Sequence, residues 1–143
     1  MKALMCKEWG PPESLVVDEV PDPTPGPGEV VVQVAAAGVN FPDTLVIQRK
    51  YQIVPPLPFS PGSECAGTVE TVGAGVTHLR AGDRVAAFCA YGAFAEKVRC
   101  DARMVVPIPA GLDLATAAGF LTTYGTSYHA LVDRGALAAG ETL

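Results

Sequence analysis

The sequence predicts a mainly β domain built as a partly closed barrel. Fifteen glycines and thirteen prolines are spread along its 143 residues, which favours short strands and turns over long helices. A hydrophobic fraction of 49% is sufficient for one real core, in a chain too short for two domains of ordinary size. Short strands at close intervals favour a barrel, because closure removes exposed strand edges.

The strands are predicted in chain order from apolar runs between turn sequences. Leu15 to Val17 form a short run, and the proline- and glycine-rich stretch 21–29 that follows it is a turn. Residues 30–38 are β-branched at four of the first five positions and then alanine-rich, which is typical of a strand buried on both faces. A second strand of this kind is predicted at 68–72. Three further strands are predicted at 85–88, 94–98 and 104–106.

The pattern becomes helical in the last thirty residues. Asp113 is a suitable N-cap for an alanine-rich helix that Gly119 ends. A second helix is predicted from residue 122 or 123 to about residue 132. Tyr124 and Tyr128 lie at helical spacing within it and are predicted to pack in the core.

Charge and composition exclude several classes of protein. The net charge is -5 and the ten basic residues form no cluster, so nucleic acid is not an expected partner. Charged residues interrupt the N-terminal segment and no later apolar run approaches the length of a membrane span, so we expect a cytoplasmic protein with no membrane partner. The cysteines show neither a C-x-x-C pair nor a framework spacing and are expected to be free thiols. They are Cys6, Cys65, Cys89 and Cys100.

The most informative stretch is Pro-Gly-Ser-Glu-Cys-Ala-Gly at 61–67, followed after five residues by Gly-Ala-Gly-Val. Together with the segments at 37–44 and 123–131, it resembles the medium-chain dehydrogenase/reductase superfamily. Zinc alcohol dehydrogenases of that superfamily carry Gly-His-Glu at the corresponding place. Ser63 stands where the histidine would be, and Asn40 stands where metal-dependent members have a zinc-binding cysteine.

The resemblance is to the quinone oxidoreductase, or zeta-crystallin-like, branch, which implies a GroES-like barrel. Zinc prefers thiolate and imidazole ligands, and neither an amide nor a hydroxyl replaces them well. The segment between Val85 and Ala93 is also too short for the four-cysteine lobe that holds structural zinc in alcohol dehydrogenases. We therefore expect no bound metal.

Without a metal, hydrogen-bond donors would have to polarise the acceptor oxygen while hydride leaves the nicotinamide. The resemblance implies that Asn40 and Tyr51 are catalytic residues at the cleft and that Asn40 and Thr126 contact the cofactor. Each has a plainer alternative. Asn40 could occupy a left-handed turn, Tyr51 could be a surface residue, and the hydroxyl of Thr126 could bond back to a carbonyl.

Four other polar residues are predicted to be non-catalytic. Glu64 is expected to accept hydrogen bonds from backbone amides or an arginine, and Asp43 to stabilise a turn or support the site from behind. His78 and His129 have no partner at ligand spacing.

The resemblance divides the chain into a GroES-like barrel at 1–112 and, at 113–143, linking helices with the start of a truncated nucleotide-binding domain. Family members continue into a Rossmann domain, whose Gly-x-Gly-x-x-Gly turn does not occur here. The full-length parent is expected to be a homodimeric, NADPH-dependent enzyme that reduces a quinone or enone, and this chain alone to be inactive. The alternatives are an enoyl-thioester or enone reductase of the same superfamily, and a non-enzymatic interaction module like the co-chaperonin GroES.

Overall fold

The computed structural model describes residues 1–142, so Leu143, the last residue of the predicted segment 113–143, lies outside the described residues. The strands in this range are β1 (Lys2–Met5), β2 (Val16–Glu19), β3 (Glu29–Gly38), β4 (Glu64–Val72), β5 (Arg84–Phe88), β6 (Lys97–Asp101) and β7 (Val105–Pro107). The α-helices are α1 (Phe41–Val46), α2 (Leu114–Ala118) and α3 (Leu121–Tyr128). A π-helical segment, His129–Arg134, continues α3. No helix in residues 1–142 combines the length and apolarity needed to cross a bilayer.

The strand pairs in the described residues are antiparallel, and they form two sheets. β1 pairs with β2, while the main sheet has the order β6-β3-β4-β5-β7. β6 and β7 stand at its two edges, so hydrogen bonding in residues 1–142 does not close this sheet into the ring of a barrel. The mainly β class is confirmed, with 30% strand and 22% helix, whereas closure of the barrel is not.

The main core lies on one face of the five-stranded sheet. Val30, Val31 and Val32 are fully buried, as predicted for a strand covered on both faces, and each buried valine contributes about 1.5–3 kcal/mol. Core residues from the neighbouring strands are Val69, Val85, Val98 and Val105. Smaller clusters form around Phe59 and beneath α2.

Several element boundaries differ from those predicted. β4 begins at Glu64, four residues before the predicted strand, because the charged side chain at this strand end is buried through hydrogen bonds rather than by apolar character. β6 covers Lys97–Asp101 instead of 94–98. Met104 lies in a short 3-10 turn before β7. The sequence pattern did not predict β1 or α1.

The C-terminal helices are confirmed in part. Asp113 caps α2 by accepting a hydrogen bond from the N–H of Thr116 at 2.9 Å. The prediction that Tyr124 and Tyr128 pack in the core is wrong, because these side chains are 64% and 62% exposed. Only the first turn of α3 lies against the sheet, and the ring of Tyr124 stacks on Phe120 at the surface, with centroids 4.7 Å apart.

Candidate functional site

The polar residues singled out by the sequence meet at one end of the main sheet, where β3 ends and β4 begins. Gly38 and Glu64 are partners across these two strands. Asn40 follows at the N-cap of α1, and Ser63 directly precedes Glu64. The backbone of Asn40 is extended, with φ -120° and ψ 153°, so the alternative of a left-handed turn is wrong.

Glu64 is a buried carboxylate that holds two donors from different parts of the chain. Its side chain is 1% exposed. Oε1 accepts a hydrogen bond from Nδ2 of Asn40 at 2.9 Å, and Oε2 accepts one from the N–H of Thr122 in the first turn of α3, also at 2.9 Å. The expectation that Glu64 accepts from a backbone amide is confirmed, and the other donor is an amide side chain rather than an arginine.

The missing side chain at Gly38 makes room for this carboxylate. A Cβ at Gly38 would lie 2.6 Å from Oε1 of Glu64 and 2.8 Å from the carbonyl oxygen of Ala118 at the end of α2. Both separations are shorter than side-chain carbons tolerate. Glycine is therefore required where β3, the Glu64 side chain and α2 meet.

Asp43 is a second buried carboxylate in the same group of residues. One of its oxygens accepts the backbone N–H of Asn40 at 2.8 Å, which stabilises the start of α1 as predicted for a turn-stabilising acid. Burial raises the pKa of the Asp43 carboxyl above its ordinary value. Hydrogen bonds from Asn40 and Ser63 oppose this rise in pKa, and the charge of Glu64 reinforces it.

The other two predicted site residues lie apart from the group around Glu64. Tyr51 is half-buried and packs against a small core that includes Val46 and Phe59. Thr126 is exposed on α3, one turn beyond Thr122. In the part of the chain that is described, the site is thus a hydrogen-bonded group around Asn40, with Tyr51 and Thr126 outside it.

Sequence reasoning missed three contributors to this end of the sheet. Thr122 acts through its backbone N–H, which no side-chain type reveals. Val39 and Phe41 flank Asn40 and are 78% and 75% exposed. Their apolar character was visible in the sequence, but their exposure was not.

Three of the four free cysteines gather in the main core behind Ser63. Cys65 and Cys100 are buried, and the sulfur of Cys89 lies 3.6 Å from the carbonyl oxygen of Ser63. Hydrogen bonds with the thiols of Cys100 and Cys65, together with burial, raise the pKa of Cys89, so this thiol stays protonated and weakly nucleophilic. Within residues 1–142, no three or more His, Cys, Asp or Glu side chains are arranged to hold a metal ion.

The fold and the polar group together define a class of protein. The antiparallel sheet brings Asn40, Ser63 and Glu64 together at one of its ends. This fold is that of the GroES-like domain of the medium-chain dehydrogenase/reductase superfamily.

Residues 26–110 match the alcohol dehydrogenase GroES-like domain, and the chain belongs to this family. Quinone oxidoreductase-like protein 2 of Rattus norvegicus is 38% identical over 142 residues, which are 99% of this chain and 40% of that protein. The crystal structure of human synaptic vesicle membrane protein VAT-1 homolog-like protein has a TM-score of 0.94 and 35% identity, and covers 98% of this chain and 45% of that chain. The structure of Escherichia coli quinone oxidoreductase complexed with NADPH has a TM-score of 0.84 and 35% identity. The match covers 92% of this chain and 40% of that chain. The chain thus spans about 40% of the length of the rat relative.

Proposed function

We propose that this chain is the substrate-binding part of an NADPH-dependent quinone oxidoreductase that works without catalytic zinc. Residues 1–112 would form the substrate domain, and residues 113–143 would lead towards the nucleotide-binding part. The observation that carries the proposal is the group of Asn40, Asp43 and Ser63 around Glu64, at the position of the metal-binding motif in zinc-dependent relatives. Two relatives support it, one named quinone oxidoreductase-like protein 2 and one a quinone oxidoreductase complexed with NADPH.

The side chains at this position do not fit a zinc ion. Nδ2 of Asn40 donates to Glu64, and the buried Ser63 lies beside Asp43, where it lowers the pKa of the Asp43 carboxyl. Zinc sites in proteins need thiolate, imidazole or carboxylate ligands with free lone pairs. Here an amide and a hydroxyl replace the first two, and no three or more His, Cys, Asp or Glu side chains of residues 1–142 are arranged around a common point to hold a metal ion.

The residues present do fit a nicotinamide cofactor and a flat acceptor. Bound NADPH would supply a hydride to the acceptor. Asn40 and Thr126 would contact the cofactor, because Asn40 is half-buried at the sheet end and Thr126 is exposed on the neighbouring helix. Asn40 and Tyr51 would orient the acceptor. The exposed side chains of Val39 and Phe41 offer an apolar surface suited to an aromatic quinone.

We predict that the full-length protein containing this sequence oxidises NADPH when p-benzoquinone or phenanthrenequinone is supplied as the electron acceptor. Replacing Asn40→Ala should lower kcat/KM on the order of 10²-fold, as removal of one hydrogen-bonding group at a developing oxyanion does. Tyr51→Phe should lower it while preserving the packing of the ring. Steady-state absorbance assays measure these changes, and Gln52→Ala, an exposed neighbour of Tyr51, is the matched control with unchanged kinetics.

Other results of the same assay would contradict the proposal. Faster reduction of crotonyl-CoA than of either quinone would favour an enone or enoyl-thioester reductase. A ring-sized particle in light scattering, with no NADPH oxidation, would favour an interaction module. Activity lost to a chelator and restored by Zn²⁺ would disprove the zinc-free reaction.

We also propose that the whole protein is a homodimer located in the cytoplasm, with a small-molecule quinone or enone as its substrate and neither nucleic acid nor a membrane as a partner. The free cysteines support a reducing compartment. Recovery of the protein in the membrane or secreted fraction of its cells would contradict the location.

A further inference from the structure

We propose that Glu64 is the positioning residue of this site, which fixes the side-chain amide of Asn40 in one orientation and holds the first turn of α3 against the sheet. The inference rests on the proposed function, because Asn40 and Thr126 are the proposed contacts to the cofactor. In this inference the Glu64 carboxylate holds Asn40 and Thr126 at fixed positions relative to each other.

The orientation of Asn40 follows from what each group can donate or accept. An asparagine amide has an NH₂ group at one end and an oxygen at the other, whereas an ionised carboxylate only accepts. Both oxygens of Glu64 face donors, Nδ2 of Asn40 and the N–H of Thr122. Rotating the Asn40 side-chain amide by half a turn would place its oxygen against Oε1 of Glu64, and two acceptors repel each other. Glu64 therefore selects a single orientation of the Asn40 amide.

The strength of this selection comes from burial. Glu64 is 1% exposed, so solvent does not compete for its oxygens. Hydrogen bonds to an ionised group are roughly twice as strong as those between neutral groups. A reversed Asn40 would leave one oxygen of this buried carboxylate without a donor, which is costly.

The other carboxylate oxygen of Glu64, Oε2, fixes the start of α3 in the same way. The first N–H groups of a helix have no partner within the helix, and Glu64 accepts that of Thr122, the second residue of α3. A negative charge near a helix N-terminus is also favourable. Since Thr126 lies one turn further on, its position relative to Asn40 depends on the same side chain.

The first test is Glu64→Gln, which keeps the shape of the side chain and removes one acceptor. If the glutamine oxygen stays on Thr122, its NH₂ group faces Asn40, and the Asn40 amide must reverse. We expect the Asn40 side-chain NH₂ signals in ¹H–¹⁵N NMR spectra to shift and to exchange with solvent about tenfold faster or more, because the buried hydrogen bond is lost. Glu70→Gln, an exposed position on the same strand, is the matched control and should leave these signals unchanged.

The second test is the exchange of the two groups, Asn40→Asp together with Glu64→Gln. The carboxylate introduced at position 40 and the amide introduced at position 64 would then face each other. Urea unfolding should therefore show that the double variant recovers the stability lost in E64Q. In the longer polypeptide, kcat/KM should stay low, because the amide is no longer at position 40. Folding of the double variant where E64Q alone does not fold would also support the pairing.

The NMR result needs neither cofactor nor acceptor, so it separates this inference from the proposed function. Unchanged Asn40 signals and exchange in E64Q would overturn the positioning role even in an active enzyme. Failure of the double variant to recover the stability lost in E64Q would contradict the pairing of Glu64 with Asn40, whereas full recovery of activity would contradict only the proposed role of the Asn40 amide.

Discussion

Asp43 and Glu64 place two carboxylates in one hydrogen-bonded group around Asn40, and neither has a cationic partner within the described part of that group. Donors compensate the burial of each carboxylate. At Asp43 the compensation is incomplete, since burial keeps the pKa of this carboxyl above its ordinary value. The pH dependence of stability should therefore carry a contribution from Asp43.

We predict that acidification stabilises the protein relative to its Asp43→Asn variant. Because the pKa of Asp43 is raised in the folded state, the folded chain binds this proton more tightly than the unfolded chain. The favourable contribution is complete below the ordinary aspartate pKa, about 3.9, and is lost as pH rises through the raised pKa. Urea unfolding of both proteins over a series of pH values measures the difference.

The control for this prediction has the opposite sign. Hydrogen bonds from Lys97 and the N-terminal amine lower the pKa of Asp22. The stabilising contribution of Asp22 is present above the ordinary aspartate pKa and is lost as the pH falls through the lowered pKa of Asp22. The protein should therefore lose stability relative to D22N on acidification. The same slope for both variants would contradict the assignment to Asp43.

For individual residues, the sequence predicted the members of the candidate site where their chemistry depends on residue type. Asn40, Ser63 and Glu64 could be singled out because the family resemblance implies that the first two stand where zinc-dependent members have metal ligands. Their convergence depends on the pairing of Gly38 with Glu64, and the contribution of Thr122 depends on a backbone N–H. Neither has a signature in the side chains themselves.

Among the elements, those held by local signals were predicted well. Asp113 before an alanine-rich segment identified the start of α2, and the valine run identified β3. The start of β4 was missed because Glu64 is buried by partners distant in sequence. The tyrosines of α3 were assigned to the core because helical spacing shows which residues share a face but not what that face touches.

Arg84, at the start of β5, fixes the segment that leads into α2. Its Nη1 and Nη2 donate to the carbonyl oxygens of Ala110 and Leu112 at 2.9 and 2.6 Å. We predict that Arg84→Lys destabilises the protein by about 1–3 kcal/mol, because an ammonium group cannot span both acceptors and charged hydrogen bonds are lost. Urea unfolding measures the loss.

Arg80→Lys is the matched control for this element. Arg80 is 89% exposed and pairs only with Asp83, three residues away, among the salt bridges of the described residues. Such pairs contribute little. Equal stability of the two variants would show that the guanidinium of Arg84 does not hold this segment.

Considered as a whole, the molecule exposes an apolar stripe on its C-terminal helical segment. Phe120, Tyr124, Tyr128 and Val132 are between 45% and 64% exposed. They recur every four residues, so their side chains share one face. Exposed apolar faces of this kind commonly mark contact surfaces.

We predict that the chain self-associates through this stripe, because an exposed apolar patch tends to pair with a second copy of itself. Sedimentation velocity should show a weight-average mass that rises with concentration, and replacing both Tyr124→Ser and Tyr128→Ser should weaken the association. Val17→Ser removes an equally exposed apolar side chain, 70% exposed on β2, and should have no effect. A monomer at every concentration would contradict the prediction.

The pairing of β3 with β4 slips at two places, between Val31 and Val32 and between Val34 and Ala36. The usual rule that every second side chain points the same way therefore cannot be carried along the whole strand. A mutational library that varied alternate positions from residue 30 to 38 would place polar groups among three consecutive buried valines. Protein engineers should treat residues 29–34 and 36–38, on either side of the slip at Ala35, as two short strands with separate inward and outward patterns.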